Sequence, residues 1–331
     1  MPLDWSPLIE LIRGHQTFLL MTHVRPDADG MGSQLGLADA MRQLGKTVHV
    51  VIASKLPPRY LVLDPDRTAI ENFTPPGMKY RKVDAIFVMD TGTWGQLGEF
   101  GDFMKSMAVP KAVIDHHRTQ DDLGGLAFVD TSAEATGRLS YEIIRALGAP
   151  LSAKAANHLF MALALDTGWF RHSNTTAETF ELAEELVRAG ANPTPLYEYL
   201  FEAAPMQRLK LVGVALERLQ TRASGKIAFT EVYLKDYAAT GAVPGDTEDL
   251  ISYPRSILGV DLAMIFIEQH DGGTKVSFRS RSADVSKLAE QFNGGGHKLA
   301  SGARLMEPLE SAREKVIAAA EKLLQEGSAT G

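Results

Sequence analysis

The chain has 331 residues, of which 45% are hydrophobic and 23% charged, and it contains no cysteine. That composition excludes a disulfide scaffold, a thiolate metal site and a cysteine nucleophile, and leaves any metal to histidine and carboxylate ligands. A formal net charge of −7 argues against broad capture of long duplex nucleic acid, which needs many Lys and Arg contacts to phosphate. A short anionic substrate stays compatible, because bound divalent ions would reverse the field that a phosphate meets.

The opening MPLDWSPLIELIRGH has no basic stretch ahead of an apolar run, and no run of about 18 apolar residues occurs, so a soluble cytoplasmic protein with no membrane partner is expected. The length suits about two domains of ~150 residues. In chain order, short β-rich runs at 17–23, 46–54, 83–90 and 111–117 alternate with helical periodicity at 32–44, 134–147 and 153–165. The alternation predicts βαβ units on a parallel sheet. A further helix is expected from about Thr175, with Glu178 as its capping-box partner, to Gly190. Residues 1–191 thus read as a parallel-sheet α/β domain, 192–222 as a Pro-punctuated helical linker, and 223–331 as a smaller α/β domain. That last part has strand candidates at 226–234, 260–269 and 274–279, a helix at 285–292, a glycine run, a closing helix at 309–324 and the tail EGSATG.

Five segments place acidic or imidazole groups directly after an apolar run, which is where open α/β sheets bind ligands. They are His23, Asp27 and Asp29 in THVRPDADGMGS, Asp90 in FVMDTG, Asp115, His116 and His117 in AVIDHH, Asp166 in LALDTGWF and, as the weakest signal, Asp130 in AFVDTSA. Singly, each has a plain reading, since an Asp after a strand ordinarily caps a helix or a turn. Together they supply enough donors for two divalent ions at the edge of one sheet. Two ions about 3.5–4 Å apart need a bridging carboxylate, separate ligands on each side and room for a water or hydroxide. Asp90 is the candidate bridge, with His23 and Asp27 serving one ion and Asp29, His116 and Asp166 the other. Gly30 and Gly32 are expected to let the backbone curl between neighbouring carboxylates, and Asp115 to support His116 from behind.

The motifs THVRPDADGMGS, VMDTG, DHH and LALDTG, in that order over 22–168, resemble those of the DHH phosphoesterase superfamily. The resemblance implies Mn²⁺ or Mg²⁺ as the two ions, bound by the ligands just named. It also implies that His117 faces the scissile phosphate, where it stabilises charge or protonates the leaving group. RHSNT at 171–175 resembles a segment near the phosphate, which brings in Arg171 and, beside it, His172. Further on, VSFRSR and DVSKLAEQFNGGGHKLASGARL are similar to the DHH-associated C-terminal domain of NrnA-type oligoribonucleases and 3′-phosphoadenosine-5′-phosphate (pAp) phosphatases. There Arg279 and Arg281 are expected to clamp phosphate oxygens, and the loop of Gly294, Gly295, Gly296 and His297 to offer N–H groups at close approach. Without the resemblance, a glycine run is usually a turn and alternate arginines a solvated face. The family's glycine run is often four long. Here its first position is Asn293, which tolerates left-handed backbone, so the loop shape is expected to be kept.

The implied activity is hydrolysis of very short oligonucleotides, dinucleotides such as pApA included, to mononucleotides, and of pAp to AMP. The C-terminal domain is expected to close over the site. The expected partners are a nucleotide or short oligonucleotide and, as members of the superfamily are often dimers, a second copy of the chain. Family II inorganic pyrophosphatases share the catalytic half but carry a different basic motif in the other. RecJ-type single-strand exonucleases are generally longer, and membrane-bound cyclic-dinucleotide phosphodiesterases need transmembrane helices. A non-catalytic nucleotide-binding module would show a lost ligand, and every expected ligand is present.

Overall fold

The structure is a computed structural model that describes residues 3–328, so the last three residues of the expected tail lie outside it. The chain divides into two compact units, the first ending at Ala203 and the second starting at Ala204.

The first unit contains α1 (Ser6–Gly14), β1 (Thr17–Met21), α2 (Ala28–Gln43), β2 (Thr47–Ile52), β3 (Ile70–Asn72), β4 (Ala85–Met89), α3 (Glu99–Lys105), β5 (Lys111–Asp115), β6 (Leu126–Val129), α4 (Thr136–Leu147), α5 (Ala153–Asp166), α6 (Ala177–Arg188) and α7 (Pro193–Tyr197). Its six strands form one parallel sheet in the order β3-β2-β1-β4-β5-β6. Alternate residues of β1 and β4 feed two cores. Phe18, Leu20, Phe87 and Met89 pack with Met31, Leu35 and Leu159, while Leu19, Met21, Ile86 and Val88 pack with Phe100 and Met104. Both faces are therefore covered, which is why β4 reads as one unbroken apolar run. The strand order reverses between β1 and β4, and the crevice beyond their carboxyl ends is the ligand position of such sheets. His23 and Asp90 follow those two strands.

Two local expectations are corrected. Gly30 and Gly32 lie inside the regular helix α2 rather than in a curl of backbone. They permit contact: a Cβ on Gly30 would sit 2.2 Å from Thr22 Oγ1, and one on Gly32 2.4 Å from the His158 carbonyl of α5. The cap of α6 is Thr176, whose N–H donates to Thr179 Oγ1 at 3.1 Å, so Thr179 and not Glu178 closes the box.

The segment 192–222 is not one element. α7 and the π turn Glu198–Glu202 lie in the first unit, whereas α8 (Met206–Glu217) and β7 (Gln220–Arg222) lie in the second. That unit continues with β8 (Ile227–Val232), α9 (Leu234–Thr240), α10 (Ser252–Ser256), β9 (Leu262–Glu268), β10 (Thr274–Ser280), α11 (Val285–Glu290), β11 (Gly295–His297), β12 (Ala300–Leu305) and α12 (Leu309–Ser328). The sheet order is β11-β12-β10-β9-β8-β7, with β8 and β9 parallel and the other neighbours antiparallel. Phe229, Phe266 and Phe278 face α11 and α12, while Ala228, Ala263 and Ile265 face α8. Among the described residues, no helix is long and apolar enough to cross a membrane.

Candidate active site

The site assembles where β1, β4 and β5 end. After His23 the chain turns through Arg25, whose backbone is left-handed, and Asp27 caps α2 by accepting from the Gly30 N–H at 3.0 Å through Oδ1. Its other oxygen, Oδ2, lies 3.6 Å from His23 Nε2. Asp27 thus caps the helix with one oxygen and turns the other toward His23. Asp29, in the first turn of α2, is 2% exposed and reaches the amino end of α4. It accepts from the N–H groups of Thr136 at 2.7 Å and Gly137 at 2.9 Å, and from Ser33 Oγ at 3.1 Å. It thereby satisfies helix donors that Ala135, at the cap position, has no side-chain oxygen to meet.

Asp90 follows β4 with φ at +61°, a left-handed conformation that costs a non-glycine residue about 1–3 kcal/mol and is held here by its N–H bond to the Ile114 carbonyl at 2.9 Å. The result is a carboxylate turned edge-on between two histidines. Oδ2 is 3.5 Å from His23 Nε2 and Oδ1 is 3.5 Å from His116 Nε2. Oδ1 also accepts from Thr136 Oγ1 at 3.0 Å. His116 Nε2 continues to Asp29 at 3.6 Å and to Asp166 at 3.9 Å. Asp166 arrives as the last residue of α5, not from the sheet edge. Three overlapping groups result, His23–Asp27–Asp90, Asp29–His116–Asp166 and Asp90–His116–His117, with the ligand atoms of each within 4.8 Å of one another.

Asp115 does not support the His116 ring, as the sequence suggested. Its Oδ1 accepts from His117 Nδ1 at 2.7 Å and from the backbone N–H groups of His116 at 2.8 Å and His117 at 3.2 Å, and Gln120 Nε2 donates to its Oδ2 at 2.6 Å. The His116 ring rests instead on the Ala133 carbonyl, 3.1 Å from Nδ1. Asp115 therefore orients His117 and leaves its Nε2 outward on a half-exposed ring.

The electrostatics follow from crowding. Burial, and after it Asp90 and Asp166, hold the Asp29 carboxyl well above its usual range. Burial likewise raises Asp90, with His23 opposing and Asp27 adding. Burial takes Asp166 up to about 6, with His116 pulling the other way and Asp90 adding. His23 would be lowered by its burial, but Asp27 and Asp90 carry it to about 10. Its bond to Asp115 raises His117 to about 9.

These features fit two divalent cations on three counts. The donors are imidazole nitrogen and carboxylate oxygen, both suited to such ions. The N···O separations of 3.5–3.9 Å are too long for hydrogen bonds and near the spacing of two donors around one ion at about 2.1 Å from each. Asp29, Asp90 and Asp166 resist ionisation in the absence of a cation that would relieve them.

The remaining candidates lie outside the cluster. Asp130 only closes a turn, accepting from Ser132 N–H at 2.8 Å and Oγ at 2.6 Å. Arg171 is exposed and donates from Nε to the Gly168 carbonyl at 2.7 Å, and exposed His172 leans over Gly168. In the second unit, Arg279 is half-buried on β10 and Arg281 is exposed, its Nη2 donating to the Arg255 carbonyl at 3.1 Å. Burial, and then the charge of Arg255, lowers the Arg279 pKa, so a third arginine belongs to this patch. Asn293 is left-handed, φ +55°, in line with expectation. The glycine run is not a free loop, because Gly295–His297 pairs as β11 with β12. A Cβ on Gly294 would sit 2.2 Å from the Gly302 carbonyl, and Gly296 combines φ +141° with a Cβ position 2.7 Å from the Ala300 carbonyl. Gly295 alone has open space around it.

Sequence reasoning missed Thr136, Gln120, the Ala133 carbonyl and Arg255. Only Thr136 had a usable signal, as a Thr-Gly pair opening a helix just downstream of DHH.

The sequence profile of the DHH family, N-terminal domain, matches residues 17–165, and that of the DHHA1 domain matches 225–326. The bifunctional oligoribonuclease and PAP phosphatase NrnA of Bacillus subtilis is 29% identical over 305 residues, covering 91% of this chain and 93% of that protein. The protein of the same name from Thermus thermophilus is 30% identical over 302 residues, covering 91% and 88%. The crystal structure of an exopolyphosphatase-related protein from Bacteroides fragilis superposes with a TM-score of 0.88 over 97% of this chain and 95% of that one, at 22% identity, and so shares the fold. With its acid–histidine cluster at the reversal of a parallel sheet and both family domains in order, the chain belongs to the DHH family of phosphoesterases, of the kind that carries a DHHA1 domain.

Proposed function

We propose that the protein is a cytoplasmic enzyme that hydrolyses very short oligonucleotides to mononucleotides and pAp to AMP, with two divalent ions, Mn²⁺ by preference, held by His23, Asp27 and Asp90 on one side and Asp90, Asp29, His116 and Asp166 on the other. The observation that carries the reading is Asp90, whose two oxygens each face a different histidine at 3.5 Å. Imidazole ligands lean toward Mn²⁺, and carboxylates accept Mg²⁺ as well. When bound, such ions supply a nucleophile near neutral pH and neutralise phosphate charge.

The chain's own residues do the rest. Asp115 holds the His117 ring by Nδ1, so Nε2 is free to meet the substrate. Its bond to Asp115 raises the pKa of the ring and so favours the protonated form. As oxygen adds to phosphorus and the bond to the leaving oxygen breaks, His117 gives that oxygen its proton. Arg171, Arg279, Arg281 and the Gly295–His297 strand are the proposed holders of the substrate's phosphate and terminal nucleotide, with Arg255 as a new member. The similarity over about nine-tenths of both chains to proteins named for these two activities supports the substrate class.

The test is to incubate the purified chain with Mn²⁺ or Mg²⁺ and, separately, pAp, a labelled dinucleotide, a 24-mer and pyrophosphate. Turnover of pAp and the dinucleotide, with little of the 24-mer, is expected. Turnover of pyrophosphate alone would make the chain a pyrophosphatase, and none at all would make it a binding module.

A further inference from the structure

Just past Asp166 the backbone adopts an uncommon course. Gly168, Trp169 and Phe170 are consecutive left-handed residues, with φ at 58°, 59° and 63°. Glycine does this freely, whereas each bulky aromatic does so at a cost that persists only where surrounding contacts impose it. The effect is to splay two rings over the buried Phe160 of α5, Trp169 at 6.0 Å and Phe170 at 5.9 Å between centroids. Phe170 then stacks on Phe180 at 5.4 Å, while Trp169 meets Tyr197 at 5.2 Å and Phe201 at 5.5 Å.

This array does not end in the core. Phe180 is 55%, Tyr197 37% and Phe201 42% exposed. Taking an aromatic side chain as roughly 150–250 Å², the two outer rings beside Trp169, Tyr197 and Phe201, present about 120–200 Å² to water. A stable protein interface needs about 800 Å² from each partner, so the patch is small for a subunit and ample for a base. Its chemistry agrees, because ring faces accept any nucleobase by stacking. Trp169 is three residues from Asp166, so their Cα atoms are at most about 11 Å apart. Exposed Arg171 follows at once and offers a guanidinium to a phosphate.

We infer that the shelf formed by Trp169, Tyr197 and Phe201 seats a nucleobase of the substrate next to the acid–histidine cluster. This rests on the oligonucleotide reading above, and it makes the shelf the feature that separates nucleotides from base-free phosphate esters. The shelf positions substrate and takes no part in bond breaking.

The experiment uses the full chain and three variants, Trp169→Phe, Trp169→Ala and Phe201→Ala. With a dinucleotide as substrate, the two alanine variants should raise KM about 10-fold with kcat within twofold, and Trp169→Phe should recover most of the loss. With an abasic dinucleotide, all four proteins should perform alike. AMP added to the metal-free protein should quench emission in the parent and much less in Trp169→Phe. Unchanged KM and unchanged quenching would overturn the inference, as would an equal loss on the abasic substrate. Alanine variants that turn a dimer into a monomer in sedimentation while keeping KM would assign the shelf to a second copy of the chain instead. A parent that hydrolyses no nucleotide defeats the functional reading, whereas a parent that hydrolyses the dinucleotide with KM indifferent to the shelf defeats the shelf alone.

Discussion

In the first unit, four groups of the cluster are each fastened by another: Asp29 by the amino end of α4, Asp90 by Thr136 and its own strained backbone, His116 by the Ala133 carbonyl, and His117 by Asp115. In the second unit, the glycine–arginine patch is exposed or half-exposed, and what fixes it is backbone, with the run laid against β12 so closely that Gly294 and Gly296 admit no side chain. One region is a crowd of buried acids that resist being charged; the other is backbone shape with arginines attached. If the second unit holds the substrate as proposed, chemistry and selection of substrate are separable by mutation, with losses in turnover expected from the first and losses in affinity from the second.

The harshest way to break that division is Asp90→Asn. Removal of the proposed bridge should lower turnover by on the order of 10³-fold or more under saturating Mn²⁺. The fold should survive. Burial first and then Asp27, against the pull of His23, keep the Asp90 carboxyl above its usual value, so its contribution to stability is present below the unfolded pKa near 3.8 and lost as pH rises through the folded one. At neutral pH in EDTA, the neutral amide should therefore melt no lower than the parent. A variant that keeps near-native turnover, or one that unfolds, would contradict the assignment.

One step down in size stands Thr136→Val, which deletes a hydroxyl donor to Asp90 and leaves the N–H to Asp29 in place. Residues that orient ligands commonly affect metal affinity 10–100-fold, and a weakening in that range is expected in a Mn²⁺ titration of activity, with kcat at saturating metal nearly restored. Activity lost at every metal concentration would mean that Thr136 acts on the substrate.

Thr136 also marks where the sequence stops being legible. The convergence of His23, Asp27, Asp29, Asp90, His116 and Asp166 was readable because each has a metal-ligating side chain placed soon after an apolar run. The parallel sheet was readable because strands buried on both faces cannot hide, as the five buried residues of β4 show. Thr136 shows in the sequence only as part of a Thr-Gly pair opening a helix, while its bonds to Asp90 and to Asp29, 107 residues away, depend on the place where α4 starts in space. β12 escaped detection because Ala-Ser-Gly-Ala-Arg-Leu has little β propensity, and its pairing with β10 decides it. Gly30 and Gly32 were noticed for the wrong reason, since a close approach of Thr22 or α5 lies outside any local pattern.

The next effect is smaller and tests the claim that the cluster is charged against its own preference. Burial raises Asp166 to about 6 from an ordinary 3.8, so metal-free protein should lose stability as pH rises from about 4 to about 6. The side chain is one-third exposed, and solvent screening reduces the effect to roughly 1 kcal/mol, which is a few degrees in melting temperature. Asp166→Asn should flatten that part of the curve in EDTA, and added Mn²⁺ should abolish it in the parent. A parent whose melting temperature is level or rising across that window would remove the argument from crowding.

The finest distinction falls within three adjacent residues of the second unit. A methyl on Gly294 would meet the Gly302 carbonyl at 2.2 Å, so Gly294→Ala must push β12 aside and should cost several degrees of melting temperature, whatever the substrate. Gly295 has nothing within 4 Å of its Cβ position, so Gly295→Ala should leave the melting temperature within about a degree. If the strand also receives a phosphate at close approach, that same methyl stands where the phosphate belongs, and KM for a dinucleotide should rise a few-fold at constant kcat. A Gly295→Ala protein with parental melting and parental KM would leave the run as packing alone, and the second unit's selectivity would then rest on Arg255, Arg279 and Arg281.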